Sequence, residues 1–141
     1  MARPYKRGLD YFPLDVDMEH DSAVCVLEAK HGAEGFTVLV KLLMRVYRDE
    51  GYFIRWNETA KFVFARQVGI EHEKVAEIVA DCVAEGLFDE KVFKKHGVLT
   101  SKGIQTRYML AVRRRAGVEM VREFLLAPKV AAELGIDVTA T

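Results

Sequence analysis

The chain has 141 residues, half of them apolar and 30% charged, which is enough for one domain with its own buried core and no cross-links. Lysine plus arginine and aspartate plus glutamate each number 21, and this formal charge of zero sits badly with a surface that binds nucleic acid all round. No apolar run reaches the length of a membrane span and nothing resembles a signal peptide, so a soluble, reducing, cytoplasmic setting without a membrane is expected.

The chain opens with three cations, Arg3, Lys6 and Arg7, and an aromatic stretch around Pro13 that reads as an extended lead-in. Asp17, Asp21 and Ser22 offer N-caps for a first helix ending at Lys30–His31, with Gly32 as its stop. From Ala33 the residues Phe36, Leu39, Val40, Leu43, Val46 and Tyr47 recur at helical spacing, which predicts an amphipathic helix closed by Gly51. "YFIRW" (residues 52–56) reads as a short strand. Asn57 then caps a helix that Gly69 stops, and "EHEKVAEIVADCVAEG" forms the next, burying Val75, Ile78, Val79, Cys82 and Val83. "LFD" and "VLT" are short strand candidates separated by the basic loop "EKVFKKHG". Ser101 or Thr100 caps a last long helix through "KGIQTRYMLAVRRRA", with Ile104, Tyr108, Ala111 and Val112 inward. Beyond Gly117, "VEMVREFLL" fits helix or strand equally, "PKVAAELG" fits a short helix with proline at its first position, and the final six residues are expected to fray.

Two helices joined by a tight turn and followed by a hairpin make a winged helix-turn-helix. The expected fold is therefore mainly α with a small β-sheet (α+β), a winged helix-turn-helix over residues 1–116 and a helical or irregular tail over 117–141. A three-stranded ribbon needs helices over one face, and the amphipathic helices supply them.

Charge is unevenly placed along this order. Residues 1–90 hold 11 basic and 17 acidic residues, whereas residues 91–118 hold eight basic and no acidic ones. Lys91, Lys94, Lys95 and His96 fall in the expected wing, where flexible cations can follow phosphates without reading bases. The plainer reading of such a tip is a hairpin charged for solubility. Lys102, Arg107, Arg113, Arg114 and Arg115 fall on the last helix. Arg113–Arg115 are consecutive and so fan around it, while Arg107 and Arg114, or Lys102 and Arg113, share a face. The helix in the recognition position carries Glu73, Lys74, Glu77 and Asp81 outward, and three carboxylates would repel phosphates. A contact with DNA is thus expected from the wing and the arginine helix, with low sequence specificity. The alternative is protein assembly, in which Glu73, Glu77 and Asp81 of one molecule meet the basic stretch of another as a homo-oligomer, or dock a partner.

No enzyme is expected. His20, His31, His72 and His96 are scattered, no phosphate-binding or nucleophile motif occurs, and no metal or other cofactor is implied. The acidic residues Asp10, Asp15, Asp17, Glu19 and Asp21 lack the glycine and spacing of a calcium loop and read as a solvated segment. Cys25 and Cys82, each among apolar residues, read as core fillers.

The strings "RGLDYFPLDVD", "GAEGFTVLVKLLMRVY", "YFIRW", "GLFDEKVF" and "HGVLTSKGIQTRYMLAVRRR" resemble an N-terminal domain family of phage, prophage and bacterial proteins, often placed beside DnaD-like replisome organisers and regarded as winged-helix. The resemblance spans residues 5–115. It implies a role in DNA replication, in initiation or helicase loading, with DNA or replication proteins as partners. The family brings no catalytic or binding residues to carry over.

Overall fold

A computed structural model describes residues 7–140. Arg3 and Lys6 of the expected basic arm lie outside them, as does Thr141.

The first half follows from its caps. A 3-10 turn at Met18–His20 leads into α1 (Ser22–His31), where the Asp21 carboxylate accepts from the Ala23 and Val24 amides. α2 (Ala33–Arg48) follows directly and buries Val38, Leu39, Leu42, Val46 and Tyr47. Its expected inward residues Phe36, Val40 and Leu43 are only half-buried, because the buried stripe is rotated toward Val38 and Leu42 and a pocket opens beside Leu43. After β1 (Ile54–Arg55), the Asn57 side chain accepts from the Ala60 amide at 2.8 Å and starts α3 (Glu58–Val68), which ends at Gly69. α4 (His72–Ala84) buries Val75, Ile78, Val79, Cys82 and Val83, the five residues its spacing indicates, against α3, α1 and α2.

The next segment differs from the sequence reading. Leu87–Asp89 is not a strand, and the basic segment is not a wing loop between two strands. Glu90–His96 is a helix, α5. The Asp89 side chain accepts from the Val92 amide at 2.9 Å, Glu90 sits in the first turn, and Lys94, Lys95 and His96 sit in the last. Acid at the positive end and base at the negative end suit the helix dipole. Gly97 takes the left-handed conformation (φ 65°) that ends the helix and that a side chain would resist. The expected three-stranded ribbon is consequently a two-stranded antiparallel pair. β2 (Val98–Leu99) sets Leu99 opposite Ile54 and Val98 opposite Arg55.

α6 (Lys102–Val112) begins where the Ser101 hydroxyl accepts from the Ile104 amide at 3.1 Å. It ends at Val112, several residues short of the expected helix, so Arg113–Arg115 stand at and beyond its C-terminus. Its buried stripe is Ile104, Gln105, Tyr108, Met109 and Val112; Ala111 is exposed.

The last residues join the core. β3 (Glu119–Val121) passes through a 3-10 turn (Arg122–Phe124) into α7 (Pro128–Glu133). β4 (Asp137–Thr139) then pairs parallel to β3, with Glu119 opposite Asp137. The segment expected to fray is therefore paired. Val118, Met120, Phe124, Ala127, Ala131 and Ile136 are buried in the same cluster as Leu27, Leu42, Phe88 and Tyr108. The fold is mainly helical with two small sheets, an α+β arrangement. Of the two cysteines only Cys82 is a core filler, its thiol pushed up to about 12 by burial and then by Asp81; Cys25 is exposed and its thiol points to the Glu19 carbonyl at 3.2 Å.

A buried polar group closes this core. Gln105 is fully buried, and its amide donates to the Phe124 carbonyl at 2.7 Å and to Thr100 Oγ1 at 3.2 Å. Its carbonyl accepts from the Leu126 amide at 2.7 Å, and Thr100 in turn donates to the Tyr52 carbonyl. Gln105→Ala leaves a void and strands Phe124 O and Leu126 N without partners. We expect it to lower the unfolding free energy by roughly 2–4 kcal/mol in urea titrations, with the tail opening first in amide exchange.

Candidate nucleic-acid interface

The nine basic positions singled out by the sequence do not form one surface. α6 is eleven residues long, about 16 Å from end to end, and it separates Lys102 from Arg113–Arg115.

At its N-terminal end the fold gathers cations. The Asp89 amide donates to the Thr100 carbonyl at 2.7 Å, which holds the start of α5 beside the start of α6. Lys91, Lys94 and Lys95 of α5 and Lys102 of α6 are all exposed. Lys94 is bound at 2.8 Å to Glu90, one turn earlier, and its ammonium holds the Glu90 carboxyl below its usual range. At the other end of α5, the Trp56 amide donates to the Gly97 carbonyl at 2.7 Å. This brings Arg55 up to His96: the His96 ring meets the edge of Phe124 at 5.3 Å, and the Arg55 guanidinium lies 5.7 Å from the same ring. Arg55 escaped the sequence reading. Its signal was its outward place in "YFIRW", and the strand register that sets it beside Gly97 could not be read from the order alone.

At the C-terminal end the arginines serve the fold. Arg113 donates to the Leu110 carbonyl at 2.7 Å, and Arg115 donates to the Gly8 carbonyl at 2.9 Å, tying the N-terminal segment down. Arg114 is exposed. Arg114 lies past the C-cap Arg113, so the helical face expected to pair it with Arg107 is not continued, while Arg113 and Lys102 stand at opposite ends of α6. Arg107 donates through Nε to the Tyr47 hydroxyl at 2.9 Å, and burial pushes that phenol up while Arg107 opposes the shift. Arg7, from the expected basic arm, pairs with Glu50 at 3.1 Å.

The acidic alternative site also divides. Glu73 and Glu77 are exposed on α4, Glu73 lying 3.0 Å from His72. Asp81 is not part of a bare acidic face. It receives His31 Nε2 at 2.6 Å and Lys30 Nζ at 3.5 Å from α1, and an ionised carboxylate can only accept, so the imidazole carries its proton on Nε2. The His31 side chain is 6% exposed. Among the described residues no group of three or more His, Cys, Asp or Glu side chains could hold a metal ion, and no helix is long and apolar enough to cross a membrane.

The His31 bond, aided by Lys30, holds the Asp81 carboxyl below its ordinary value of 3.8. A depressed folded-state pKa stabilises the fold above the unfolded value and loses that effect as pH falls through the folded one. Asp81→Asn should therefore cost about 1–3 kcal/mol at neutral pH by leaving His31 with a poorer acceptor. The gap between variant and wild type in urea midpoint should close as the pH falls below 3.8.

Residues 11–104 match a family model described as "Lin1244/Lin1753-like, N-terminal". The chain is 41% identical over 126 residues to the "Uncharacterized phage-related protein Lin1244/Lin1753" of Listeria innocua serovar 6a; the match takes in 89% of this chain and 41% of that protein. The chain thus spans about two fifths of the length of this relative. No solved structure matches it.

Proposed function

The chain belongs to the Lin1244/Lin1753-like N-terminal family, and we propose that it is a non-enzymatic DNA-binding domain of a phage-related replication system, acting in initiation or helicase loading. One observation supports the DNA contact above all. Lys91 and Lys95, one turn apart on α5, and Lys102, at the start of α6 that the Asp89–Thr100 bond sets beside α5, are exposed. Arg55 and His96 stand at the far end of α5, and Asp89 and Glu90 are engaged by the Val92 amide and Lys94. A cluster of this kind neutralises phosphates without reading bases, so the domain tolerates any sequence and needs no cofactor. The succession of α2, β1, α3, α4, β2 and α6 is read as a winged-helix arrangement in which α5 takes the wing's place. α4 stays out of the major groove, since Glu73 and Glu77 face outward. The replication role rests on the sequence resemblance alone; the relative's description supports only the phage-related part.

The test is fluorescence anisotropy with labelled single- and double-stranded DNA of random sequence. We expect binding whose log–log salt slope is about −3 to −4, as for three or four phosphates. The triple variant Lys91→Glu, Lys95→Glu, Lys102→Glu should weaken it by at least about tenfold, and Arg113→Glu by less than about threefold. Absence of binding at about 50 mM salt removes the DNA reading.

A second reading, assembly with protein in place of DNA, is favoured by α3, where Phe62 and Val63 are 47% and 50% exposed next to the acidic start of α4. On that reading the chain is oligomeric in light scattering, and Phe62→Ser with Glu77→Lys reduces it to a monomer. A monomer at all concentrations excludes self-assembly through this face.

A further inference from the structure

A concavity opens between the N-terminal segment and helices α1, α2 and α6. It is a pocket of about 660 Å3, walled by Phe12 and Leu14 of the N-terminal segment, Val24 of α1, Leu39 and Leu43 of α2, and Ile104 of α6. The segment that forms its outer lip is fixed at its root. A Cβ on Gly8 would stand 1.8 Å from the Arg48 carbonyl oxygen, so only glycine allows this approach; the Leu9 amide then donates to the Tyr47 carbonyl at 2.7 Å. Phe12 stacks on Tyr47 with ring centroids 4.7 Å apart.

On either side of that stack the segment carries apolar side chains into solvent. Tyr11 is 87% exposed, Leu14 44% and Val16 91%, three of the seven large apolar side chains that the described residues expose. Large apolar side chains left exposed on a segment that walls an apolar pocket mark a surface that something else covers. The charge around it is of one sign: residues 10–21 include Asp10, Asp15, Asp17, Glu19 and Asp21 and no lysine or arginine. Asp15, Asp17 and Asp21 border the pocket itself. Among the described residues Arg107 is the one arginine or lysine lining it, and it is bound to the Tyr47 hydroxyl.

We infer that this pocket and its acidic lip receive a basic amphipathic helix from a partner protein. Apolar side chains at successive turns of such a helix enter between Leu14 and Leu43, and flanking lysines or arginines meet Asp17 and Glu19. Apolar burial supplies the affinity, and the carboxylates supply orientation and salt-dependent association. A small ligand confined to the pocket would touch neither Tyr11 nor Val16, which do not line it; a helix, longer than the pocket, extends along the segment that carries them. The inference does not depend on the DNA reading, since no residue of the α5 cluster lines this pocket.

The experiment is selection from a display library of helical peptides of about 15 residues, followed by anisotropy of the enriched peptide on the whole chain. Enriched sequences should carry apolar residues at i, i+3, i+4 and i+7 with lysine or arginine between them. Binding should fall by about tenfold or more with Asp17→Lys plus Glu19→Lys, and similarly with Leu14→Ser plus Val16→Ser. None of these four side chains caps a helix, all are exposed, and circular dichroism of the variants checks that the fold is kept. DNA affinity should not fall in the same variants, which separates this site from the α5 cluster. No enrichment, enrichment of acidic or uncharged peptides, or binding indifferent to both pairs of substitutions overturns the inference. So does finding that the two pairs abolish only self-association, because the occupant is then a second copy of this chain.

Discussion

Gln105 is the group on which the arrangement of the whole second half depends. A buried primary amide must find partners for its donors and its acceptor or cost the fold several hydrogen bonds at once. It finds them in three places: Thr100 at the end of the small antiparallel pair, and Phe124 and Leu126 in the C-terminal segment. Thr100 extends the chain of bonds to the Tyr52 carbonyl, and the Tyr52 hydroxyl accepts from the Val121 amide at 2.8 Å. Segments far apart in sequence are thereby set at one distance from one another. That is why residues 118–136 bury apolar side chains in the common core when they could have trailed from it. It is also why Phe124 is available as the ring that His96 and Arg55 share.

The elements legible in the sequence are those whose instructions are local. Asp21, Asn57 and Ser101 each accept an amide from the first turn of the helix they start, and α4 presents one clean apolar stripe; nothing distant is needed to read either signal. α5 had the same local signals, with Asp89 as cap, Glu90 at the front, lysines at the back and Gly97 beyond. They were outweighed by the expectation that a hairpin follows two helices and a tight turn. With only Val92 buried, the seven residues also offer too little periodicity to insist on a helix. The last helix was read too long for a different reason. Arginines are good helix formers, so nothing in "RRRAG" forbids continuation, but the chain must turn at Arg115 to reach β3.

The basic site was legible as a composition and not as a place. The acid-free stretch is real, but α6 carries its two halves to opposite ends of a rigid rod. The arginine half is then drawn into backbone contacts with Leu110 and Gly8. Asp81 shows the same limit for the acidic face. Its partners His31 and Lys30 lie some fifty positions earlier, and only the packing of α1 on α4 brings them together. Gln105 and Arg55 were missed for a shared reason. Each is a polar residue whose role is decided by a contact made across the fold, and nothing in its immediate neighbours distinguishes it from an ordinary surface residue.

The acidic N-terminal segment gains a meaning by the same route. As a string it reads as solvated charge. In the fold, Gly8, Leu9 and Phe12 clamp its root to α2, so that its apolar members either wall a pocket or project beside one. A merely solvated segment has no reason to be anchored by a glycine that no other residue could replace, and Arg115 adds a second tether through the Gly8 carbonyl. The zero net charge of the chain thus conceals two regions of opposite sign. A cationic end at α5 and the start of α6 suits phosphates, and an anionic, apolar lip suits a basic helix. The two are joined by one common core. On the function and docking site proposed above, opposite charges kept apart on one fold would let DNA and a protein partner be held without competing for the same surface.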